Sequence, residues 1–390
     1  MAQAFRSRTI QTMVPGRPPI DDGLLITDDQ KILDVGSYRE LKKTFSGSVE
    51  DLGEQVLAPG LINGHTHLEL SHLQGRTILG QGFETWVRSL LGNDLKGVRP
   101  EDLRQASAAM SESGAAGVGD ISGHVPRTMF EHHQHGHLVP RLFLEHIGFS
   151  CAHPSRLTWP EHLNPDHNDW ISAAGHALYS THPSTLQAVK TWCTRNGRPY
   201  SMHLAEHSGE MELLTTGRGA FADMLRGSLL PTNFVPPGMS PVAYADQLGL
   251  LDEKTLAVHC VFLNRHDIQT LQERKTTVCL CPRSNDNIHV GRAPAEELFA
   301  SGVPICLGTD SLASNTDLNV WAEAEALLKG WSTPVSLADL LGFVTLNPAR
   351  ALGLDRALGT LEPGKRDSFT AVPPFVIEMT NSSTSAETAP

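Results

Sequence analysis

Positive charge is in short supply in this chain. Its 31 Lys and Arg residues face 43 Asp and Glu, a formal net charge of -12. No basic stripe interleaved with aromatics occurs, so the electrostatic footprint of a nucleic-acid binder is missing. The acidic balance bears on solubility and still leaves room for an anionic substrate held by a local arginine. Long apolar runs are missing too. No stretch is long enough to span a bilayer, and Met1–Ile10 lacks the apolar segment of a secretory leader, so a mature cytoplasmic protein is expected. The six cysteines (Cys151, Cys193, Cys260, Cys279, Cys281 and Cys306) show no disulfide-framework spacing. They are expected to be small buried hydrophobes in a reducing compartment. Cys279 and Cys281 would share one face of a strand, where the apolar context favours packing over metal binding. Finally, no Gly-x-Gly-x-x-Gly turn follows the first long strand, which weighs against a dinucleotide-binding fold.

What remains is an ordinary globular composition, 40% hydrophobic and 19% charged over 390 residues. That is enough for one large core and a smaller accessory domain. The opening segment reads as short strands and turns around Leu24–Thr27 and Lys31–Gly36. Eight strand candidates follow: Val56–His67, Gly117–Ser122, Val139–Gly148, Ile171–Ser180, Tyr200–Glu206, Leu256–Leu263, Thr277–Asn285 and Val303–Ser311. Helical stretches separate most of them, among them Pro183–Arg195, Arg265–Arg274 and Pro294–Ser301. Apolar strands alternating with helices imply a parallel sheet buried on both faces. Closing eight such units into a barrel is the economical topology, with an open doubly wound sheet as the alternative. After a last unit at Leu337–Leu352, the turn-rich segment Gly359–Lys365 is expected to return as β structure beside the N-terminal strands. The small polar residues from Asn381 to Pro390 are expected to form a disordered tail.

Polar residues gather where these strands end. The first ends in His65-Thr66-His67, and residues two apart on a strand face the same side, so both imidazoles can address one metal. The fifth ends in His203-Leu204-Ala205-Glu206, the sixth at His259, and the eighth in Gly308-Thr309-Asp310-Ser311. A lone histidine is usually a surface or satisfied core residue, and the chain has 19. Four strand ends carrying such residues toward one barrel face are much harder to assign to chance. The denser tract His132-His133-Gln134-His135-Gly136-His137 reads instead as an exposed helix end on the opposite face. Imidazole and carboxylate donors from His65, His67, His203 and Asp310 suit one Zn²⁺, with Fe²⁺ or Mn²⁺ as alternatives. In that arrangement Asp310 accepts a water proton, Glu206 donates a proton to substrate, and His259 steadies developing charge.

Together, Pro59-Gly60-Leu61-Ile62-Asn63-Gly64-His65-Thr66-His67, His203-Leu204-Ala205-Glu206, Val258-His259-Cys260 and Gly308-Thr309-Asp310-Ser311 resemble the amidohydrolase superfamily. The resemblance is to its cytosine deaminase and chlorohydrolase-like branch, and it runs from about Ile20 to Lys365. It implies a distorted (β/α)₈ barrel at residues 59–352, with a small β-sandwich built from residues 1–58 and 353–380. It also implies one metal at His65, His67, His203 and Asp310, and proton handling by Glu206, His259 and Asp310. The family's metal-bridging lysine has no counterpart on the fourth strand, so a mononuclear site is expected. One departure is Gly364-Lys365-Arg366-Asp367-Ser368-Phe369, where the family usually has Gly-Lys-x-Ala-Asp-Leu; this puts the sandwich edge in question.

His176-Ala177-Leu178-Tyr179-Ser180 and Cys281-Pro282-Arg283-Ser284-Asn285 resemble the members that deaminate adenine-type nucleosides, which implies substrate contact by His176. Phe83-Glu84-Thr85-Trp86 resembles a segment lining the nucleoside pocket, making Glu84 a candidate for ribose hydroxyls. His65-Thr66-His67-Leu68-Glu69-Leu70-Ser71 is similar to the form in bacterial aminodeoxyfutalosine deaminases of menaquinone biosynthesis. That substrate carries a benzoate, for which Arg141 and Arg283 are the arginine candidates and Arg88 a weaker one. The implied reaction is hydroxide attack at C6 of the purine, ring protonation by Glu206 and loss of ammonia. The expected partner is thus a small nucleoside, with no nucleic acid and no membrane; a homodimer is compatible. Deaminases of S-adenosylhomocysteine, methylthioadenosine or guanine, and a chlorohydrolase, are alternatives within the branch. From another class, a non-catalytic metal-binding barrel is disfavoured, because a structural site has no use for Glu206, His259 and Asp310 as proton shuttles.

Overall fold

A computed structural model describes residues 2–28, 30–149, 157–160, 163, 165–226 and 228–384. Eight parallel strands make up its largest sheet: β1 (Leu61–Thr66), β2 (Ala115–Ser122), β3 (Val139–His146), β4 (Ile171–Gly175), β5 (Tyr200–Leu204), β6 (Thr255–His259), β7 (Thr277–Leu280) and β8 (Ile305–Leu307). Each pairs with the next in chain order. The ring is drawn together by the segment after β8: the amides of Thr309 and Asp310 both donate to the His65 carbonyl, at 3.1 and 3.0 Å. Asn63 adds two bonds to Thr309, donating to its hydroxyl at 2.7 Å and accepting from its amide at 3.1 Å. This seam tolerates no side chain. A Cβ at Gly64 would lie 2.8 Å from the Leu307 carbonyl oxygen, and one at Gly308 would lie 2.7 Å from the His65 nitrogen. The (β/α)₈ barrel is thereby nearly closed, rather than an open doubly wound sheet.

Alternation along the strands splits the apolar residues into two layers, as a sheet covered on both faces requires. On β7 and just past it, Val278 and Leu280 pack outward with Val189 and Leu271, while Cys279 and Cys281 join Ile62, Phe143, Val258 and Cys306 in a second cluster. That inner cluster also takes in Ala349, Leu352, Leu354 and Leu358. Cys193, Cys260, Cys279, Cys281 and Cys306 are all free and buried, in line with their expected packing role; Cys151 lies outside the described residues.

Several expected strands are shorter in the fold. The long candidate Val56–His67 is two strands: Val56–Pro59 belongs to another sheet, and β1 begins at Leu61. Thr277–Asn285 stops at Leu280, because Pro282 opens a helix at Pro282–Asn287, a position where its missing N–H costs nothing. The second sheet gathers both chain regions, in the order Phe369–Ala371, Val56–Pro59, Gln3–Ile10, Ile20–Thr27, Ile32–Ser37, with Val49–Asp51 also pairing Gln3–Ile10. The expected sandwich is therefore one six-stranded sheet. Apolar clusters lie around Ile10, Leu25 and Leu361 and around Ala4, Leu24 and Ile26. The unusual segment before Phe369 does not prevent its pairing, since Phe369 still meets Pro59 in antiparallel register. Pro374–Thr384 is a helix, so the β structure expected up to residue 380 ends earlier and the expected tail starts within a helix. Residues 385–390 lie outside the described residues.

Candidate active site

The C-terminal ends of β1, β5, β6 and β8 meet at one mouth of the barrel. His65 and His67 lie with ring centroids 4.9 Å apart, and His65 and His203 at 5.0 Å. His67 Nε2 is 3.4 Å from His203 Nε2, and one ring nitrogen from each of the three histidines falls within 4.8 Å of the others. Asp310 Oδ1 stands 3.9 Å from His65 Nε2 and 3.8 Å from His67 Nε2. The four residues expected to hold metal are thus brought together.

Two further observations fit this cluster to a cation. The His203 Nδ1 lies 3.1 Å from the His176 carbonyl; a carbonyl only accepts, so Nδ1 carries the proton and Nε2 keeps its lone pair for the cluster. Both ring nitrogens of buried His65 lack any hydrogen-bond partner among the described residues, a state that costs about 1–3 kcal/mol unless something compensates. Burial pushes His65 well below its ordinary pKa, His67 to about 3 and His203 downward, so all three rings are neutral as ligands must be.

Backbone strain marks the same strand ends. Ala205, His259, Cys260 and Asp310 all have positive φ, between 48° and 73°, each costing about 1–3 kcal/mol without local compensation. Hydrogen bonds hold the kinks: the Ala205 carbonyl accepts from Val261 and Phe262, and the Cys260 amide donates to Leu204. The kink at Ala205 lies between His203 and Glu206. Glu210, wholly buried, accepts from the Glu206 amide at 2.9 Å. Glu206 Oε1 then stands 3.3 Å from His259 Nε2, and the other His259 nitrogen meets Asn285 Oδ1 at 2.9 Å.

The electrostatics differ between the two acids. Burial, followed by the charges of Asp310 and Glu210, raises Glu206 well above the usual carboxylate range, the direction a proton donor needs. Burial also pushes Asp310 upward, but the net direction is down, with the Ser284 hydroxyl bonded to its ionised form. Ser284 and Ser314 donate to Asp310 Oδ2 at 2.7 and 2.9 Å, and the Ser311 amide donates to Oδ1 at 2.8 Å.

The substrate-contact candidates divide. His176 is beside the cluster, 4.8 Å from the His203 ring, with Nδ1 bonded to Ser180 Oγ at 2.6 Å. Half-buried Glu84 sits in the first turn of helix Phe83–Leu91, whose Phe83 stacks 3.7 Å from the ring of His207, next to Glu206. Arg141 has a different place: at the start of β3, buried, it donates to the carbonyls of Leu352 at 2.7 Å, Gly353 at 3.3 Å and Asp169. Its guanidinium serves the barrel's closed end and is not presented to the mouth. Arg283 is taken up by Asp317 and Thr316; from its motif, Ser284 and Asn285 reach the site instead. Arg88 is exposed on the helix that carries Glu84.

The histidine tract is also only partly an exposed helix end. His133 is buried and its Nε2 meets Asp120 Oδ2 at 2.7 Å, while Asp120 Oδ1 accepts from the Leu68 amide at 2.9 Å. Glu69 likewise escaped the sequence reading. Its carboxylate accepts from Ser122 Oγ at 2.6 Å and from the amides of Gly123, His124 and Val125 at 2.9, 3.1 and 3.0 Å, fixing the loop after β2.

Comparison with known proteins agrees with this geometry. A family model described as "Amidohydrolase family" matches residues 56–386. A 5-methylthioadenosine/S-adenosylhomocysteine deaminase of Moorella thermoacetica is 31% identical over 382 residues, covering 93% of this chain and 84% of that protein. An aminodeoxyfutalosine deaminase of Deinococcus radiodurans is 27% identical over 320 residues, covering 77% and 74%. Among solved structures, an adenosine deaminase from Xanthomonas campestris with bound zinc shares the fold, with a TM-score of 0.76 at 23% identity over 95% of this chain and 84% of that one. The chain belongs to the amidohydrolase family.

Proposed function

We propose that the protein is a hydrolytic deaminase that converts the C6 amine of an adenine-type nucleoside to an oxo group and releases ammonia. The observation that carries this reading is the pairing of a three-histidine, one-aspartate cluster with Glu206, whose Oε1 stands 3.3 Å from His259 Nε2. His65, His67, His203 and Asp310 would hold one divalent cation, and their nitrogen and carboxylate donors favour zinc, with Fe²⁺ or Mn²⁺ as alternatives. When bound, such an ion supplies a nucleophilic water at neutral pH and polarises the substrate. Asp310, ionised and buttressed by Ser284 and Ser314, takes the proton from the attacking water. Glu206 delivers its proton to the purine ring, which prepares C6 for attack, and the proton that Asp310 took from water passes to the amine, which leaves as ammonia. His259, fixed by Asn285, keeps Glu206 in place and steadies the charge that develops.

The preferred substrate within this class is 6-aminodeoxyfutalosine, of menaquinone biosynthesis. Its support is the His65–Ser71 motif and the likeness to the Deinococcus enzyme. The higher identity to the Moorella enzyme favours methylthioadenosine or S-adenosylhomocysteine as the second reading. With Arg141 and Arg283 committed elsewhere, Arg88 becomes the arginine candidate for a substrate carboxylate. Ammonia release from aminodeoxyfutalosine, methylthioadenosine, S-adenosylhomocysteine, adenosine and guanine is the test. The highest kcat/KM is expected on the first; activity confined to another substrate overturns that choice, and chloride release from a triazine without ammonia overturns the deaminase reading.

A further inference from the structure

Glu145, the residue before the last of β3, lies beside the site, and the proposed chemistry leaves it without work. Its Oε1 is buried and has no hydrogen-bond partner among the described residues. One of its carboxyl oxygens, one nitrogen of His176 and one of His203 lie within 4.8 Å of each other. Gly123 brings the neighbouring strand end close, since a Cβ there would stand 3.1 Å from Glu145 Oε2. A buried carboxyl oxygen without a partner is costly, so its place beside the site calls for a hydrogen-bond donor or a cation there.

Two kinds of group could answer. The first is a second cation shared with His203. That fails on valence: His203 Nδ1 is protonated toward the His176 carbonyl, and its single lone pair on Nε2 already faces His67. The second is a hydrogen-bond donor on the bound substrate. His176 supports this choice, because Ser180 occupies its Nδ1 and leaves Nε2 for a ligand. The pair therefore offers adjacent polar atoms next to the reacting centre, from two strands whose backbones are tied by the His176 amide donating to the His146 carbonyl at 3.0 Å.

We propose that Glu145, together with His176, forms a substrate-reading subsite in which the Glu145 carboxyl accepts a hydrogen bond from an O–H or N–H of the nucleoside. The proposal rests on the deaminase reading and adds a specificity determinant to it. Its test compares the metal-loaded wild type with Glu145→Gln and Glu145→Ala on adenosine, 2′-deoxyadenosine, 3′-deoxyadenosine and 5′-deoxyadenosine. Metal content and the thermal midpoint are measured alongside.

Glu145→Ala is expected to lower kcat/KM about 10- to 100-fold on substrates carrying the donor, with Glu145→Gln recovering part of the loss. Loss of the effect with one deoxy analogue assigns the donor to that hydroxyl. An equal loss on all four assigns it to the base. Variants within twofold of wild type on every substrate overturn the proposal while leaving the deaminase reading intact. So does a drop in bound metal matching the drop in rate, since Glu145 would then be a metal ligand. A wild type that releases ammonia from no adenine-type nucleoside overturns the deaminase reading and the subsite with it.

Discussion

His65 and His133 are both buried histidines, and they differ in one respect that separates the two regions around them. His133 is satisfied: its ring meets the carboxylate of Asp120, which in turn accepts from the Leu68 amide. Among the described residues His65 has no hydrogen-bond partner on either nitrogen, and two more imidazoles and a carboxylate converge on it. Burial alone therefore does not set His65 apart; unsatisfied nitrogens together with converging imidazoles and a carboxylate do. The arginines repeat the lesson. Arg141 has its charge spread over three backbone carbonyls at the closed end of the barrel, and a group so fully engaged has nothing to offer a substrate.

The sharpest way to test this contrast is at the mouth. Asp310→Asn should lose bound metal and at least about 10³-fold in kcat, whereas Glu206→Gln should lose a similar factor with metal retained. Metal analysis beside single-turnover rates distinguishes the two, and a Glu206→Gln enzyme with undiminished turnover would remove the proton-donor role. At the closed end, Arg141→Met should lower stability by about 2–4 kcal/mol, because three carbonyls lose a charged donor. Its kcat/KM should stay within twofold of wild type; a large rise in KM for a carboxylate-bearing nucleoside, at unchanged stability, would return Arg141 to the substrate. The smallest effect is expected at His133→Leu, about 1–3 kcal/mol in denaturant unfolding, from leaving Asp120 half-satisfied. Activity should persist there, and loss of metal from this variant would mean that the two regions are coupled through Leu68 and His67.

The barrel was legible because its signal is repeated: eight apolar runs with helices between them constrain the architecture even where single boundaries are off. The histidine–aspartate cluster was legible for a related reason, since each of its members closes such a run. Glu145 obeys the same rule, following Leu142-Phe143-Leu144, and the pattern could have flagged it. Glu210 and Glu69 could not be found that way. Each sits within a short helical segment, and its role is to accept backbone amides whose positions depend on the folded loop.

By itself, the sequence determined the alternation of strand and helix, the residues that end each strand, and hence the chemistry gathered at one mouth. Periodicity and strand-end identity are local properties, so they survive without the fold. Only the tertiary structure decided how the ring closes through the Gly64 and Gly308 contacts, and that Ser284 and Asn285 rather than Arg283 reach the site. It also decided which of the buried polar groups were already satisfied. A hydrogen-bond partner is a matter of spatial proximity between distant segments, and no residue type or spacing encodes that on its own.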